Sequence, residues 1–408
     1  MSPPLTPWRP VDEAEAAAMV ADAVGNGTRL EIRGHGTRVG LGDPVTADAV
    51  LDLTRLTGVV AYEPDELVLT VRAATPLSEI TPLIAARGQQ LAFEPPDFGP
   101  LSGRPAGLGT LGGAMAVGIG GPRRLKAGGP RDHLLGFRGI NGRGEAIVGG
   151  GRVVKNVTGF DLPKLMAGSF GALGVMTEIT VKVMPGPQVR CSLVLTGLSE
   201  EAGLALLCRA MALPGPVSAG ALLPPSQART LLPDLAPEIE RGKAAVVLRL
   251  EGVPPSVTAA SDALGRDPAR ATCHRLDGPA CTALWSAIGG GWALAAHPGA
   301  ICRIVIPPAR AAAVGAALRI AGVSHLQYDG FGSVLLAVAP DTPEGVDGLR
   351  RAVGAVTADS HVTVLRPGTH RAPAFAPMSP GVSALTRRIK ASLDPHGIFN
   401  PGRLPGGA

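Results

Sequence analysis

Residues 11–25 (VDEAEAAAMVADAVG) set acids ahead of an apolar run closed by Gly25, a pattern that predicts an opening helix. Arg29 to Arg33 then reads as a short strand with Leu30 and Ile32 on one face. Further strands are predicted at 49–54 and 67–74. At Thr75-Pro76 a helix is predicted to start, since Thr is a good N-cap and Pro suits the first turn; Gly88 stops it after Arg87. Residues 134–140 and 145–148 read as short strands, and 172–184 (ALGVMTEITVKVM) alternates as a longer one. Pro185-Gly186-Pro187 marks a domain boundary. Beyond it, strands near 191–196, 244–251, 301–306 and 333–339 alternate with helices near 199–213, 256–264, 309–321 and 343–354. This is an α+β pattern with βαβ character. The proline-rich stretch 367–380 leads to a last helix, 381–393, and a tail reading DPHGIFNPGRL. No internal repeat is visible.

Between 99 and 151 the pattern breaks down, with 18 glycines in 53 positions. Gly costs about 0.5–1 kcal/mol against Ala inside a helix or strand, so this segment is expected to be loops joined by short strands. Three glycine turns flank strands: Gly34 to Gly40, Thr110 to Pro122, and Gly168 to Gly174. The first can present successive backbone N–H groups to an anion, with charge from Arg33 and Arg38. In the second, small residues leave backbone open to something flat or extended. GLGTLG at 107–112 matches GxGxxG only formally, because the preceding GPLSGRP cannot be the buried strand that a Rossmann site needs. A Walker A loop is absent, since Gly242-Lys243 runs into Ala244. Three glycine turns in one domain suggest a single long ligand touched repeatedly, about the length of a dinucleotide.

Composition narrows the classes. At 408 residues the chain exceeds what one core of about 250–300 residues holds, so two domains are expected. Apolar residues make up 45%, enough for substantial cores, whereas aromatics at 3% supply few platforms for stacked bases. The net charge of +5 is scattered rather than blocked, which permits an anionic ligand and does not indicate nucleic acid. The five cysteines show no CxxC spacing, so neither a metal site, nor a disulfide framework, nor a chain-borne iron–sulfur cluster is expected. Isolated thiols, an N-terminus without a leader-like apolar run, and no uncharged stretch of about 18 apolar residues point to the cytoplasm, with any membrane association through partners.

The chain resembles a known family in IRGHGT (32–37), GTLGGAMAVGIGGPRR (109–124), PRDHLLGFRGI (130–140), GGGRVVKNVTGFDLPKLMAGSFGALGVMTEITVKVMP (149–185) and LDPHGIFNPGRL (393–404). It resembles the PCMH-type, or vanillyl-alcohol oxidase type, FAD-binding proteins, and among them the FAD-binding subunits of bacterial glycolate oxidase. The likeness is strong over 30–187 and in the tail, and weak over 188–370. It implies an α+β fold: a PCMH-type FAD-binding domain of two α+β subdomains at 1–187, an α+β cap domain at 188–370, and a segment at 371–408 returning to the first domain. It implies FAD contacts at Arg33, Gly34, His35, Gly36, Thr37 and Arg38, at Pro96 and Asp97, and at Thr110, Gly112, Gly113, Ala116 and Gly118. Asp132 falls near the adenosine side, and Gly171, Gly174, Val175 and Ile179 complete the set. Covalent relatives carry their histidine at the place of Thr37, so non-covalent FAD is expected here.

The resemblance also implies a complex with a second flavin subunit and an iron–sulfur subunit, oxidising glycolate or a similar 2-hydroxy acid. Catalytic relatives carry a His-rich HxGDGNLH-like stretch; the nearest match here is Gln327-Tyr-Asp-Gly-Phe-Gly-Ser-Val334, with both histidines lost. No catalytic base is therefore named. His297, His325 and Tyr328 are the remaining candidates, Arg303 is a candidate for a substrate carboxylate, and Arg123, Arg124 and Lys126 are candidates for docking a partner. Two alternatives stand beside the complex: a stand-alone FAD oxidoreductase of another hydroxy acid or alcohol, and a scaffold that has lost FAD. Intact glycine turns argue against the second.

Overall fold

A computed structural model describes residues 6–151, 160–239, 243–266 and 272–405; the 152–159 part of the fourth motif lies outside them. The chain forms two compact units. The first comprises Met1–Gly120, Gly128–Gly186 and Pro377–Ala408, and the second comprises Gly121–Ala127 and Pro187–Ala376.

The first unit holds two α+β layers. Strands Thr6–Trp8, Ala49–Asp52 and Leu30–Arg33 form a parallel sheet with Ala49–Asp52 in the middle. The opening helix runs Glu13–Asn26, capped by Asp12, whose Oδ1 accepts from Glu15 N at 2.8 Å. It ends at left-handed Gly27 rather than at Gly25. Its Ala16, Val20 and Ala23 are buried in one core with Leu30, Leu51 and Phe399. The second layer is an antiparallel sheet ordered Val59–Glu63, Val68–Arg72, Val175–Lys182, Leu134–Ile140 and Ala146–Gly150.

Two local expectations change. Helix Leu77–Ala85 has Pro76 at its N-cap and no side-chain cap; Thr75 is buried and donates instead to the Arg72 carbonyl at 2.6 Å. Within the glycine-rich segment, Leu111–Val117 is a helix, not a loop, capped by Thr110 and ended by left-handed Gly118. Close packing explains why this helix keeps a glycine at 112. Gly112 N donates to Ala73 O at 2.8 Å, and a Cβ on Gly112 would stand 2.6 Å from that oxygen. Helix propensity is a weak prior that such an approach overrides.

The second unit contains a repeat that the sequence hides. Its eight-stranded sheet joins two halves with the same strand order and the same crossover helices after their first and third strands, the first half adding helix Pro225–Leu231 between its second and third strands. The first half uses strands Val189–Leu198, Val217–Leu223, Ala244–Gly252 and Thr272–Asp277. The second uses Ile301–Val305, His325–Asp329, Val334–Val338 and His361–Arg366. Each half has the spatial order fourth, first, third, second. The halves meet along their second strands, at Leu222 and Tyr328. One face of the whole sheet is buried with helices Glu200–Ala212, Ala311–Ile320 and Gly345–Val356. The other face of the first half packs Val194, Ala221 and Val247 against Trp285 and Ile288 of helix Gly278–Gly290. The second half carries Arg303, Gln327 and Asp329 on that face instead.

The segment Gly121–Ala127 belongs to the second unit, not to the FAD-binding stretch expected at 1–187. Arg123 Nε pairs with Glu251 at 3.2 Å, and Lys126 Nζ donates to Met211 O at 3.0 Å. Two of the three cations considered for partner docking are thus engaged inside the unit, and Arg124 is exposed.

Candidate functional site

The glycine turns converge in the first unit on an open cleft of about 540 Å³. Its lining includes Arg33, Gly34, His35, Gly36, Thr37 and Arg38 from the first turn and Thr110, Gly113 and Ala116 from the second. These nine residues, named from sequence, come together. Strand Leu30–Arg33 ends at the cleft, and Gly36 follows with φ +73°, a conformation that favours glycine. Thr37 is buried, and its carbonyl accepts from Ser102 Oγ at 2.8 Å, which pins the turn.

The other named residues are not part of this lining. Pro96 O accepts from Arg38 Nη2 at 3.0 Å. Asp97 accepts from Gly99 N and Gly107 N, at 2.9 and 2.6 Å, and attracts Arg38. Gly112 touches Ala73, and Gly118 lies against Gly168, where a Cβ would sit 3.0 Å from backbone. Asp132 is exposed and accepts from Gly129 N at 2.7 Å, closing a short turn. Gly171 abuts Asn400, Gly174 abuts the Ile140 carbonyl, and Val175 and Ile179 are fully buried strand residues.

Sequence reasoning missed several lining residues: Glu31, Phe170, Asn400 and Arg403 among them. Asn400 is the most consequential. Its Oδ1 accepts from Ile32 N at 2.8 Å and its Nδ2 donates to Phe170 O at 2.7 Å, so one tail side chain joins the strand leading into the first turn to the third turn. Phe170 N in turn donates to Ala116 O at 2.8 Å, joining the third turn to the second. Arg403 donates to the carbonyls of Val39 and Leu41 at 2.9 and 2.6 Å. The tail motif NPGR was the available signal.

Electrostatically the lining suits an anion. It carries Arg33, Arg38 and Arg403 against a single acid, Glu31, which pairs with Arg33 at 2.6 Å and Arg403 at 3.5 Å. Burial pushes the Arg38 guanidinium down to about 10 despite the attraction of Asp97. Arg33 Nε is shielded from solvent with no hydrogen-bond partner among the described residues, a cost that a bound acceptor would relieve. A Cβ on Gly113 would crowd Arg38 and Thr110 at 3.2 Å. Bare backbone, clustered guanidinium groups and an open cleft together fit the diphosphate of a dinucleotide.

Residues 7–150 match the family model described as an FAD binding domain, and residues 368–404 match the C-terminal domain of FAD linked oxidases. Glycolate oxidase subunit GlcE of Escherichia coli is 32% identical over 385 residues, covering 94% of this chain and 95% of that protein. The chain belongs to the GlcE family of glycolate oxidase subunits. It is an FAD-linked oxidoreductase, and FAD is its cofactor. Glycolate oxidase subunit GlcD of Bacillus subtilis is 32% identical over 163 residues, covering 40% of this chain and 33% of that protein. Among solved structures, 4-ethylphenol oxidase from Gulosibacter chungangensis superposes with a TM-score of 0.71 at 15% identity, covering 98% of this chain and 89% of that one. This likeness shows the PCMH-type fold of the GlcE-family chain.

The histidine and tyrosine candidates lie in the second unit. Tyr328 is fully buried and donates to Glu200 Oε1 at 2.6 Å; burial and that carboxylate push its phenol far up. The His297 and His325 rings lie 3.6 Å apart, and Ser324 Oγ is 2.8 Å from His325 Nδ1. Burial and His297 lower the His325 pKa. All five cysteines are free thiols. Among the described residues no group of three or more His, Cys, Asp or Glu could hold a metal ion, and no helix is long and apolar enough to cross a membrane.

Proposed function

We propose that this chain is the FAD-carrying partner of a second flavin subunit and an iron–sulfur subunit in a complex that oxidises glycolate to glyoxylate, and that it relays electrons rather than abstracting the substrate proton. The observation that carries the reading is the cleft. Its glycine turns are intact and knit together by Asn400, while its polar lining is cationic and offers no free carboxylate, since Glu31 is tied to two arginines. The likeness to GlcE over nearly the whole of both chains supports the assembly.

Bound FAD supplies an acceptor for two electrons that can be passed on one at a time. The chain's own residues do the rest. Arg33, Arg38 and Arg403 would hold the diphosphate, and Gly34, Gly36 and Gly113 would let backbone approach it. Thr110 and Ala116 shape the second wall. Thr37 occupies the place where a histidine would tether the cofactor, so the attachment is non-covalent. General base catalysis is worth about 10²–10⁴-fold, and Tyr328, the best-buried candidate, is locked onto Glu200.

Acid precipitation of the purified chain should release yellow flavin into the supernatant. With an artificial acceptor dye, the isolated chain should oxidise glycolate only at background level. Co-expression with its two partner subunits should restore turnover. A rate on the order of 1 s⁻¹ or more from the chain alone would overturn the relay reading.

A further inference from the structure

The two halves of the second unit share topology but not the chemistry of their outer face. In the first half that face is apolar and covered by helix Gly278–Gly290. In the second half, Cys302 and Ile304 point to the helix-side core, so Arg303 lies on the opposite face. The sheet register puts Arg303 opposite Leu336, and Leu336 opposite Gln327. Arg303 and Gln327 therefore share one row and one face, two strands and roughly 10 Å apart at Cα.

Both side chains have unused capacity. Gln327 is fully buried, and its Nε2 donates to Ile288 O at 2.8 Å. That bond fixes the amide so that Oε1 faces away from Ile288, and this oxygen is buried with no partner among the described residues. A buried orphan acceptor costs about 1–3 kcal/mol, so it calls for a donor. Arg303 is half-buried and paired with no carboxylate among the described residues. Burial and the repulsion of Arg124 lower its pKa to about 10, against the attraction of Asp329. Asp329 itself accepts from Gly330 N at 2.6 Å. A second anion is what two neighbouring arginines and one carboxylate lack.

We propose that Arg303 and Gln327 form a recognition pair for a small 2-hydroxy carboxylate, the guanidinium fork holding its carboxylate and Gln327 Oε1 accepting its hydroxyl proton. A planar fork pairs with a carboxylate through two parallel bonds, and an amide oxygen held by its own nitrogen distinguishes a hydroxy acid from its deoxy analogue. The pair supplies binding and no base, since neither side chain titrates near neutrality. It rests on the glycolate reading above and adds to it a site within the second unit.

The test is calorimetric titration of the FAD-loaded chain, without oxygen, against glycolate and against acetate, which lacks the hydroxyl. The wild type should bind glycolate more tightly than acetate. Arg303→Leu should weaken both by about 10- to 100-fold, and Gln327→Met should weaken glycolate by about 3- to 10-fold while leaving acetate unchanged. If Arg303→Leu does not fold, Arg303→Lys, which keeps the charge and loses the fork, should weaken both acids by a smaller factor. Unchanged glycolate binding in the arginine variants, or an unchanged glycolate-to-acetate ratio in Gln327→Met, overturns the pair. So does a wild type that carries FAD and binds neither acid. Flavin absorbance of each sample separates these results from failure of the cofactor reading. A reconstituted complex inactive on glycolate would count against the proposed function alone.

Discussion

Asn400 donates through Nδ2 to the Phe170 carbonyl at 2.7 Å, across 230 residues of chain. Its Oδ1 takes the Ile32 amide at 2.8 Å, and its backbone sits at φ +40°, where Asn is among the better tolerated residues. Asn400→Ala removes both side-chain bonds and strands two backbone groups. The expected loss is about 2–4 kcal/mol of stability, with weaker FAD retention. Thermal melts with and without added FAD check it. An unchanged melting temperature together with full flavin occupancy would show that the tail does not hold the turns.

Adjacent glycines should fail in different ways. A Cβ at Gly112 meets the Ala73 backbone oxygen at 2.6 Å, and backbone cannot swing aside, so Gly112→Ala should cost about 1–3 kcal/mol of folding stability. At Gly113 the neighbours are the side chains of Arg38 and Thr110, which can shift. Gly113→Val should therefore fold and lose FAD, because its methyls fill the cleft. Circular dichroism and bound-flavin absorbance distinguish the two; full occupancy in Gly113→Val would misplace the site.

Lys390 is buried, and its Nζ donates to Ala172 O, Asp394 Oδ2 and Phe399 O at 2.7, 2.6 and 2.8 Å. Lys390→Met leaves the fully buried Asp394 carboxylate without its cation. Losing one partner of such a pair costs about 3–5 kcal/mol, and Lys390→Met with Asp394→Asn, which removes the charge but keeps an oxygen for the Ile398 and Phe399 amides, should recover part of it. Denaturant midpoints of the two variants decide this. A double variant no more stable than the single one would mean that the charge pair is not the issue.

His325 titrates below its ordinary value because burial and His297 disfavour its cation. Its contribution to stability is complete above about pH 6.5 and is lost as pH falls through the lowered folded value. His325→Gln should flatten the fall in melting temperature between about pH 6.5 and 5. An equally steep fall in the variant would remove His325 from the acid response.

The sequence by itself determined half of the first unit's cleft. Arg33 to Arg38, Thr110, Gly113 and Ala116 all line it, because a turn flanking a strand fixes locally which backbone is left open. It also located every strand and helix it named in the second half. Tertiary structure alone decided the rest. In helix Leu111–Val117, Gly112 is needed because Ala73 lies against it, a contact no propensity encodes. Asn400 and Arg403 reach the cleft only once the tail pairs with Leu30. The duplicated sheet halves escape the sequence because 224–243 separates two strands in the first copy where 330–333 suffices in the second. Buried strands also constrain only that their residues be apolar. The face on which Arg303 and Gln327 meet depends on register between strands distant in sequence, and strand pairing, unlike alternation, is a property of the folded sheet.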